Sequence, residues 1–146
     1  MNINELMLGD YVKTPRGIGR VEMIQDNDVV FTDVSDGIDG GFDIDEIEPV
    51  LLTPEILERN GFVFVEANKY ESFPRYVYGE KGKRGGLLVT VTFYEPAING
   101  VRVLTRIENE CSHDSGVNTI HNCDIEYVHQ MQHAFKLCGI GKKFDV

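Results

Sequence analysis

Long hydrophobic runs, cysteines and N-terminal basic residues are all scarce in this sequence of 146 residues. No stretch approaches the roughly 18 apolar residues of a membrane-spanning helix. The N-terminus lacks the basic start and apolar run of a signal peptide. Three cysteines are an odd number and too few to frame a small secreted domain with disulfides. We therefore expect a cytoplasmic protein with no membrane partner.

Positive charge is especially scarce in residues 1–50, which hold 12 Asp and Glu against 3 Lys and Arg. Their net charge of −9 accounts for nearly all of the −10 of the chain. Because phosphate backbones are bound mainly through Lys and Arg, residues 1–50 are not expected to bind nucleic acid. Residues 51–146 have a net charge of −1, so nucleic acid stays open as a partner of the second half.

The composition is that of a folded protein, with 42% hydrophobic and 26% charged residues. From Leu8 to Leu52, five short apolar runs are separated by turn residues such as Pro15 and Gly17, which predicts five short strands. The run from Leu8 to Ile24 resembles the opening of SH3-like barrels. That resemblance implies a small barrel over residues 1–51.

A short helix is predicted to join this barrel to the rest of the chain. Thr53 suits its N-cap, Pro54 its first position, and Gly61 the left-handed residue after its end. Alternating apolar residues then predict an antiparallel meander of four strands. The four strands are expected at Phe62–Ala67, Phe73–Tyr78, Leu87–Tyr94 and Val101–Glu108, with a loop at Glu110–Asn118.

The last part of the chain carries the only long segment with a helical period. Asp124 is the expected N-cap and Gly139 the expected C-terminal residue of an amphipathic helix. Its apolar stripe needs a partner surface, which we expect to be the meander. The predicted fold is thus α+β and mostly β, with a small barrel at 1–51 and an antiparallel sheet with both helices at 52–146.

Three segments of the chain carry a resemblance to a known group of proteins. They are Asn4–Val12, Leu51–Phe62 and Tyr127–Gly139, which together cover about a quarter of the sequence. In their order and spacing they resemble a family of small uncharacterised proteins encoded by gut bacteria, their phages and mobile elements. The resemblance implies a genomic setting, and it implies no activity, cofactor or catalytic residue.

His129 and His133 stand four residues apart on the C-terminal helix, which is the spacing that zinc metalloproteases use. The expected general base after the first histidine is replaced by Gln130, which cannot accept a proton at neutral pH. We therefore interpret the polar side of the helix as a partner-facing surface. Its interaction candidates are Glu126, His129, Gln130, His133 and Lys136. A metal-binding protein or enzyme built around the two histidines is an alternative.

Cysteine and histidine also occur together in two short motifs, Cys111-Ser-His113 and His121-Asn-Cys123. A hairpin would bring these four potential zinc ligands together. A single residue between two ligands makes it difficult for both to reach one ion, so an incidental polar loop is the favoured interpretation.

No assembled catalytic set and no cofactor motif is visible, and the sequence favours a non-catalytic protein over an enzyme. The expected function is a protein-interaction module of a phage or mobile element, whose partner is another protein. The alternative nucleic-acid module would use a basic face of the second half. That face would comprise Arg75, Lys81, Lys83, Arg84, Arg102 and Arg106.

Overall fold

The computed structural model describes residues 2–26, 28–33, 40–69, 73–79, 87–94, 102–110 and 117–146. Its described part is mostly β, with two antiparallel sheets and two α-helices, as the sequence predicts. Contacts group the chain into two compact units. The first unit comprises residues 1–51, 127–144 and 146, and the second comprises residues 52–126 and 145.

The first unit contains a five-stranded antiparallel sheet. Its strands are β1 (Tyr11–Thr14), β2 (Gly17–Ile24), β3 (Val29–Asp33), β4 (Gly40–Asp43) and β5 (Glu48–Pro49). Short 3-10 helices at Ile3–Glu5 and Ile44–Glu46 flank these strands. The strand order is β4-β3-β2-β1-β5. In the described residues β4 and β5 form the two edges, so the pairings do not close the sheet into a barrel.

Alternation along the short strands produces the core of this sheet. In β1 the second and fourth residues, Val12 and Thr14, are buried while Lys13 between them is exposed. One cluster of buried apolar side chains follows from this pattern. Its members are Leu6, Val12, Val21, Val30, Phe42 and Ile47.

The first unit also contains the helix α2, which spans Val128–Leu137. Gly139 has a φ of 70°, a left-handed conformation that a side chain would penalise. There the Ile140 N–H donates to the Phe135 carbonyl at 2.8 Å, and the Gly139 N–H donates to the Lys136 carbonyl at 3.2 Å. This is the Schellman arrangement that ends a helix and turns the chain. Residues 140–144 then return beside the helix, where the rings of Phe144 and Phe135 lie 5.2 Å apart.

The start of α2 differs from the prediction. Its N-cap is Tyr127 and not Asp124, because a strand continues as far as Asp124 before the helix begins. The Gln130 side-chain oxygen accepts a hydrogen bond from the Tyr127 N–H at 3.2 Å. Residues 127–144, which contain α2, group with the first unit. The expected division into domains at 1–51 and 52–146 stays a prediction. That this helix covers the meander stays a prediction.

The second unit begins with the predicted joining helix α1, which spans Pro54–Arg59. The Thr53 hydroxyl caps it by accepting from the Ile56 N–H, and Gly61 ends it with a φ of 76°. A five-stranded antiparallel sheet follows, with the strands β6 (Val63–Val65), β7 (Arg75–Tyr78), β8 (Leu87–Tyr94), β9 (Arg102–Glu110) and β10 (Val117–Asp124). Their order in the sheet is β10-β9-β8-β7-β6.

The fifth strand of this sheet was not predicted. Residues 117–124 pair with β9 across an irregularity between Thr119 and His121. Their sequence is mostly polar, with two Asn, one Thr, one His and one Asp among eight residues, so it lacks the apolar alternation that indicates a strand. Pairing with β9 supplies backbone hydrogen bonds that do not depend on side-chain polarity. Neither α-helix in the described residues is long and apolar enough to cross a bilayer.

Candidate functional site

A buried carboxylate organises the turn that leads into β1. Asp10 is only 2% exposed. Its Oδ2 atom accepts a hydrogen bond from the Met7 N–H at 2.7 Å, while its own N–H donates to the Met7 carbonyl at 3.2 Å. A carboxylate that closes a turn in this way holds the turn in one conformation. The neighbouring Leu8 is consequently held on the surface, with 66% of its area exposed.

His133 of α2 is the second partner of this carboxylate. Its Nε2 atom lies 2.9 Å from Oδ1 and 2.8 Å from Oδ2 of Asp10. The side chain of His133 is 20% exposed, whereas that of Asp10 is 3% exposed, so the contact is largely shielded from water. Residues 123 positions apart in the sequence are thereby joined. Contacts of this kind to a buried carboxylate are stronger than those between neutral groups.

Gln132, next to His133, binds the backbone on both sides of Asp10. Its amide nitrogen donates to the Gly9 carbonyl at 2.9 Å, and its amide oxygen accepts from the Tyr11 N–H at 3.1 Å. A side-chain amide has the same donor and acceptor as a peptide group. Gln132 therefore pairs with this backbone as a neighbouring strand would. Together, Gln132 and His133 contact three consecutive residues at the start of β1, which are Gly9, Asp10 and Tyr11.

His129 completes a row of rings along the helix. It is 2% exposed, lies parallel to the Tyr127 ring at 5.8 Å, and meets the His133 ring edge-on at 5.8 Å. Within the described residues its Nδ1 atom is buried without a hydrogen-bond partner. Burial lowers the pKa of His129 from its ordinary value of 6.5, and the nearby His133 acts in the same direction. The carboxylates of Asp10 and Glu5 oppose this shift.

The structure separates the five interaction candidates predicted on the C-terminal helix, and Glu126 lies before α2 begins. Glu126 and Lys136 are exposed, as expected, and Gln130 and His133 are half-buried. The exposed position predicted for His129 is wrong, because this side chain is almost completely buried. The buried side of the helix thus includes His129 in addition to the apolar residues, because an imidazole packs well against other rings. His133 likewise faces a carboxylate and not open solvent.

The predicted zinc ligands fall only partly within the described residues. Cys111 and His113 lie outside them, and His121 and Cys123 occupy alternate positions of β10 whose backbone alone is described. Among the described side chains, no group of three or more His, Cys, Asp or Glu is placed to hold a metal ion. The zinc hairpin therefore stays a prediction. Cys138 is a free thiol, and burial raises its pKa.

A cleft of about 360 Å³ opens between the turn, β2, α2 and the returning C-terminal segment. We call it the basic cleft, since four cations line it against the single carboxylate of Asp10. Its apolar part is formed by Met7, Leu8, Ile140 and Phe144, and its cations are Arg20, Lys136, Lys142 and Lys143. Gly9, Tyr11, Gln132, His133 and Gly141 complete the described lining.

Sequence reasoning found Lys136 and His133 but missed the other residues of the basic cleft. Lys142 and Lys143 form a visible basic pair, yet nothing in the sequence places them near Arg20. Nothing in the sequence distinguishes Asp10 from the other acidic residues of the acidic N-terminal segment. Comparison with protein-family models, curated proteins and solved structures gives no match for this chain.

The two contacts of Gln132 predict a difference between two isosteric substitutions. Gln132→Glu keeps an acceptor for the Tyr11 N–H but places a carboxylate against the Gly9 carbonyl. We expect a loss of about 1 to 3 kcal/mol in the free energy of unfolding. Gln130→Glu is the matched control, because its oxygen accepts from Tyr127 in the first turn, where the helix dipole favours negative charge. Urea denaturation of both variants measures the difference, and equal losses would contradict the bridging role of Gln132.

The lowered pKa of His129 predicts that acid weakens the fold. In the unfolded chain His129 protonates near its ordinary pKa of 6.5, whereas the folded protein resists its protonation. Its contribution to stability is thus complete above pH 6.5 and is lost as the pH falls below that value toward the lowered pKa. We expect the unfolding free energy of His129→Leu to fall less steeply than that of the unchanged protein as the pH drops below 6.5, because leucine takes up no proton. Denaturation from pH 7.5 to 5 checks it, and an unchanged slope would contradict the assignment.

Proposed function

We propose that this chain is a non-catalytic protein-interaction module, and that the basic cleft of its first unit is the binding surface. The supporting observation is that exposed apolar side chains and cations line the same cleft, although the rest of this unit is acidic. Met7 and Leu8 are 45% and 66% exposed on a turn whose backbone is fixed. Aromatic and apolar contacts beside charges are typical of binding sites.

The chemistry of the cleft favours binding over catalysis. Its described lining contains no Ser, Thr or Cys that could act as a nucleophile. The Nε2 atom of His133 is engaged by Asp10, and His129 is buried. These side chains hold the helix against the turn, so they support the surface of the cleft. Together with the resemblance described above, this supports a cytoplasmic accessory protein of a phage or mobile element.

A nucleic-acid module of the second half is supported less well. By backbone register, positions 75, 102 and 106 share one face of the second sheet, which the basic-face hypothesis requires. Acidic positions 108 and 124 share that face too, and they offset part of its charge. Lys81, Lys83 and Arg84 lie outside the described residues. Phosphate binding would need a clear excess of cations there.

Photocrosslinking from two matched methionine positions tests the proposed function. Met7 lines the basic cleft and Met23 does not, although the two side chains are equally exposed at 45% and 46%. A photoreactive residue at position 7 of the full chain, expressed in its own host, is expected to yield one defined protein adduct. The same probe at position 23 should not yield it. The purified partner must then bind the purified chain directly.

Adducts of equal yield from both positions, or no adduct from position 7, would contradict the interaction module. An adduct to a nucleic acid would favour the alternative. Because only one side chain is replaced, the Met7 N–H that bonds to Asp10 is retained.

A further inference from the structure

The charge of the basic cleft contrasts with that of the chain around it. Residues 1–50 carry a net charge of −9, whereas the lining of the cleft contains four cations and one carboxylate. That carboxylate, Asp10, is buried, already accepts a hydrogen bond from the Met7 N–H and already contacts His133. The charge available to a ligand in the cleft is therefore positive. Cations that lie close together repel one another, and a bound anion relieves this repulsion.

Lys136 and Lys143 are the cations best placed to meet a ligand. Both are exposed, and neither forms an ion pair with another described residue. Arg20 differs from them, since its guanidinium already contacts Asp33 at 3.2 Å. Lys136 lies in the last turn of α2, and Lys143 follows on the segment that returns after Gly139. The Schellman turn is what brings these two charges to one cleft.

The cleft also has the size and the apolar surface for a side chain. Its volume of about 360 Å³ lies at the low end of the range for ligand pockets. Exposed Leu8 and Met7 stand at one side of it, and Ile140 contributes further apolar lining. Such a site accommodates one or two side chains of an extended segment. A free anion would use the charges but not this apolar area.

Resting on the proposed function, we propose that the basic cleft binds an acidic peptide segment that carries a large apolar side chain. The carboxylates of the segment meet Lys136 and Lys143, and its apolar side chain packs against Met7 and Leu8. The surrounding acidic surface selects for short ligands, because charge effects fade beyond a Debye length of about 8 to 10 Å. A nucleic acid would extend its phosphates, about one charge per 1.7 Å of duplex, across that acidic surface.

The test measures binding of a labelled synthetic peptide to the full chain by fluorescence anisotropy. The probe is a short peptide of glutamates interrupted by leucine and phenylalanine. We expect a Kd on the order of 1 to 100 μM that rises with salt. A peptide of equal length and charge, with serine in place of the leucine and phenylalanine, should bind at least about fivefold more weakly, because it lacks the apolar contact. Duplex DNA should not bind in the same range.

Two pairs of matched variants locate the binding. Lys136→Gln with Lys143→Gln removes two cations from the cleft, and Lys13→Gln with Arg59→Gln removes two exposed cations elsewhere. The first pair should raise the Kd about tenfold or more, and the control pair less than about twofold. Met7→Gln should weaken binding of the interrupted peptide, whereas Met23→Gln should not. Circular dichroism confirms that each variant is folded.

Equal Kd values for the two double variants, or equal binding of a basic peptide, would overturn the proposal. Tighter binding of DNA than of the peptide would assign the cleft to nucleic acid. Concentration-dependent self-association that Lys136→Gln with Lys143→Gln abolishes would identify a second copy as the occupant and also overturn it. A defined crosslinked partner from position 7 combined with no acidic-peptide binding would leave the interaction module standing and remove only this partner chemistry.

Discussion

The contact between the buried Asp10 carboxylate and His133 holds the two distant parts of the first unit together. An unpaired buried carboxylate would be strongly destabilising, so the turn and the helix must supply its partners. Met7 supplies a backbone N–H, and His133 supplies a ring nitrogen at 2.8 Å. Gln132 adds two hydrogen bonds to the adjacent backbone. A polar cluster of this kind fixes the position of the helix more narrowly than apolar packing alone, because hydrogen bonds are directional.

The basic cleft is a direct consequence of that fixed arrangement. Once the turn and α2 are joined, Leu8 is held outward, and the chain after Gly139 returns with Lys143 beside the same opening. A surface that is already formed would lower the conformational entropy lost when the proposed ligand binds. His133, which lines the cleft, is also the last member of the row of rings that runs from Tyr127 through His129. These buried titratable groups thus stabilise the surface that we propose as the binding site.

Local signals in the sequence predicted the local structure, and they did not predict the site. Turn residues and alternation located the five strands of the first sheet, and Thr53 with Gly61 marked the ends of α1. The polar strand β10 was missed because its stability comes from pairing with β9 and not from its own pattern. His129 was assigned to the exposed side because histidine is a polar residue type. The sequence did not show that its ring packs against the ring of Tyr127. Asp10 and His133 meet only through the tertiary fold.

The most direct test of this account is a double-mutant cycle between Asp10 and His133, measured by urea denaturation at neutral pH. The cycle compares Asp10→Ala, His133→Ala and the double variant with the unchanged protein. If the carboxylate and the imidazole stabilise each other as their 2.8 Å separation indicates, the two losses will not add. The account predicts a coupling of at least about 1 kcal/mol. Additivity within about 0.5 kcal/mol would contradict the claim that this contact fixes the helix to the turn.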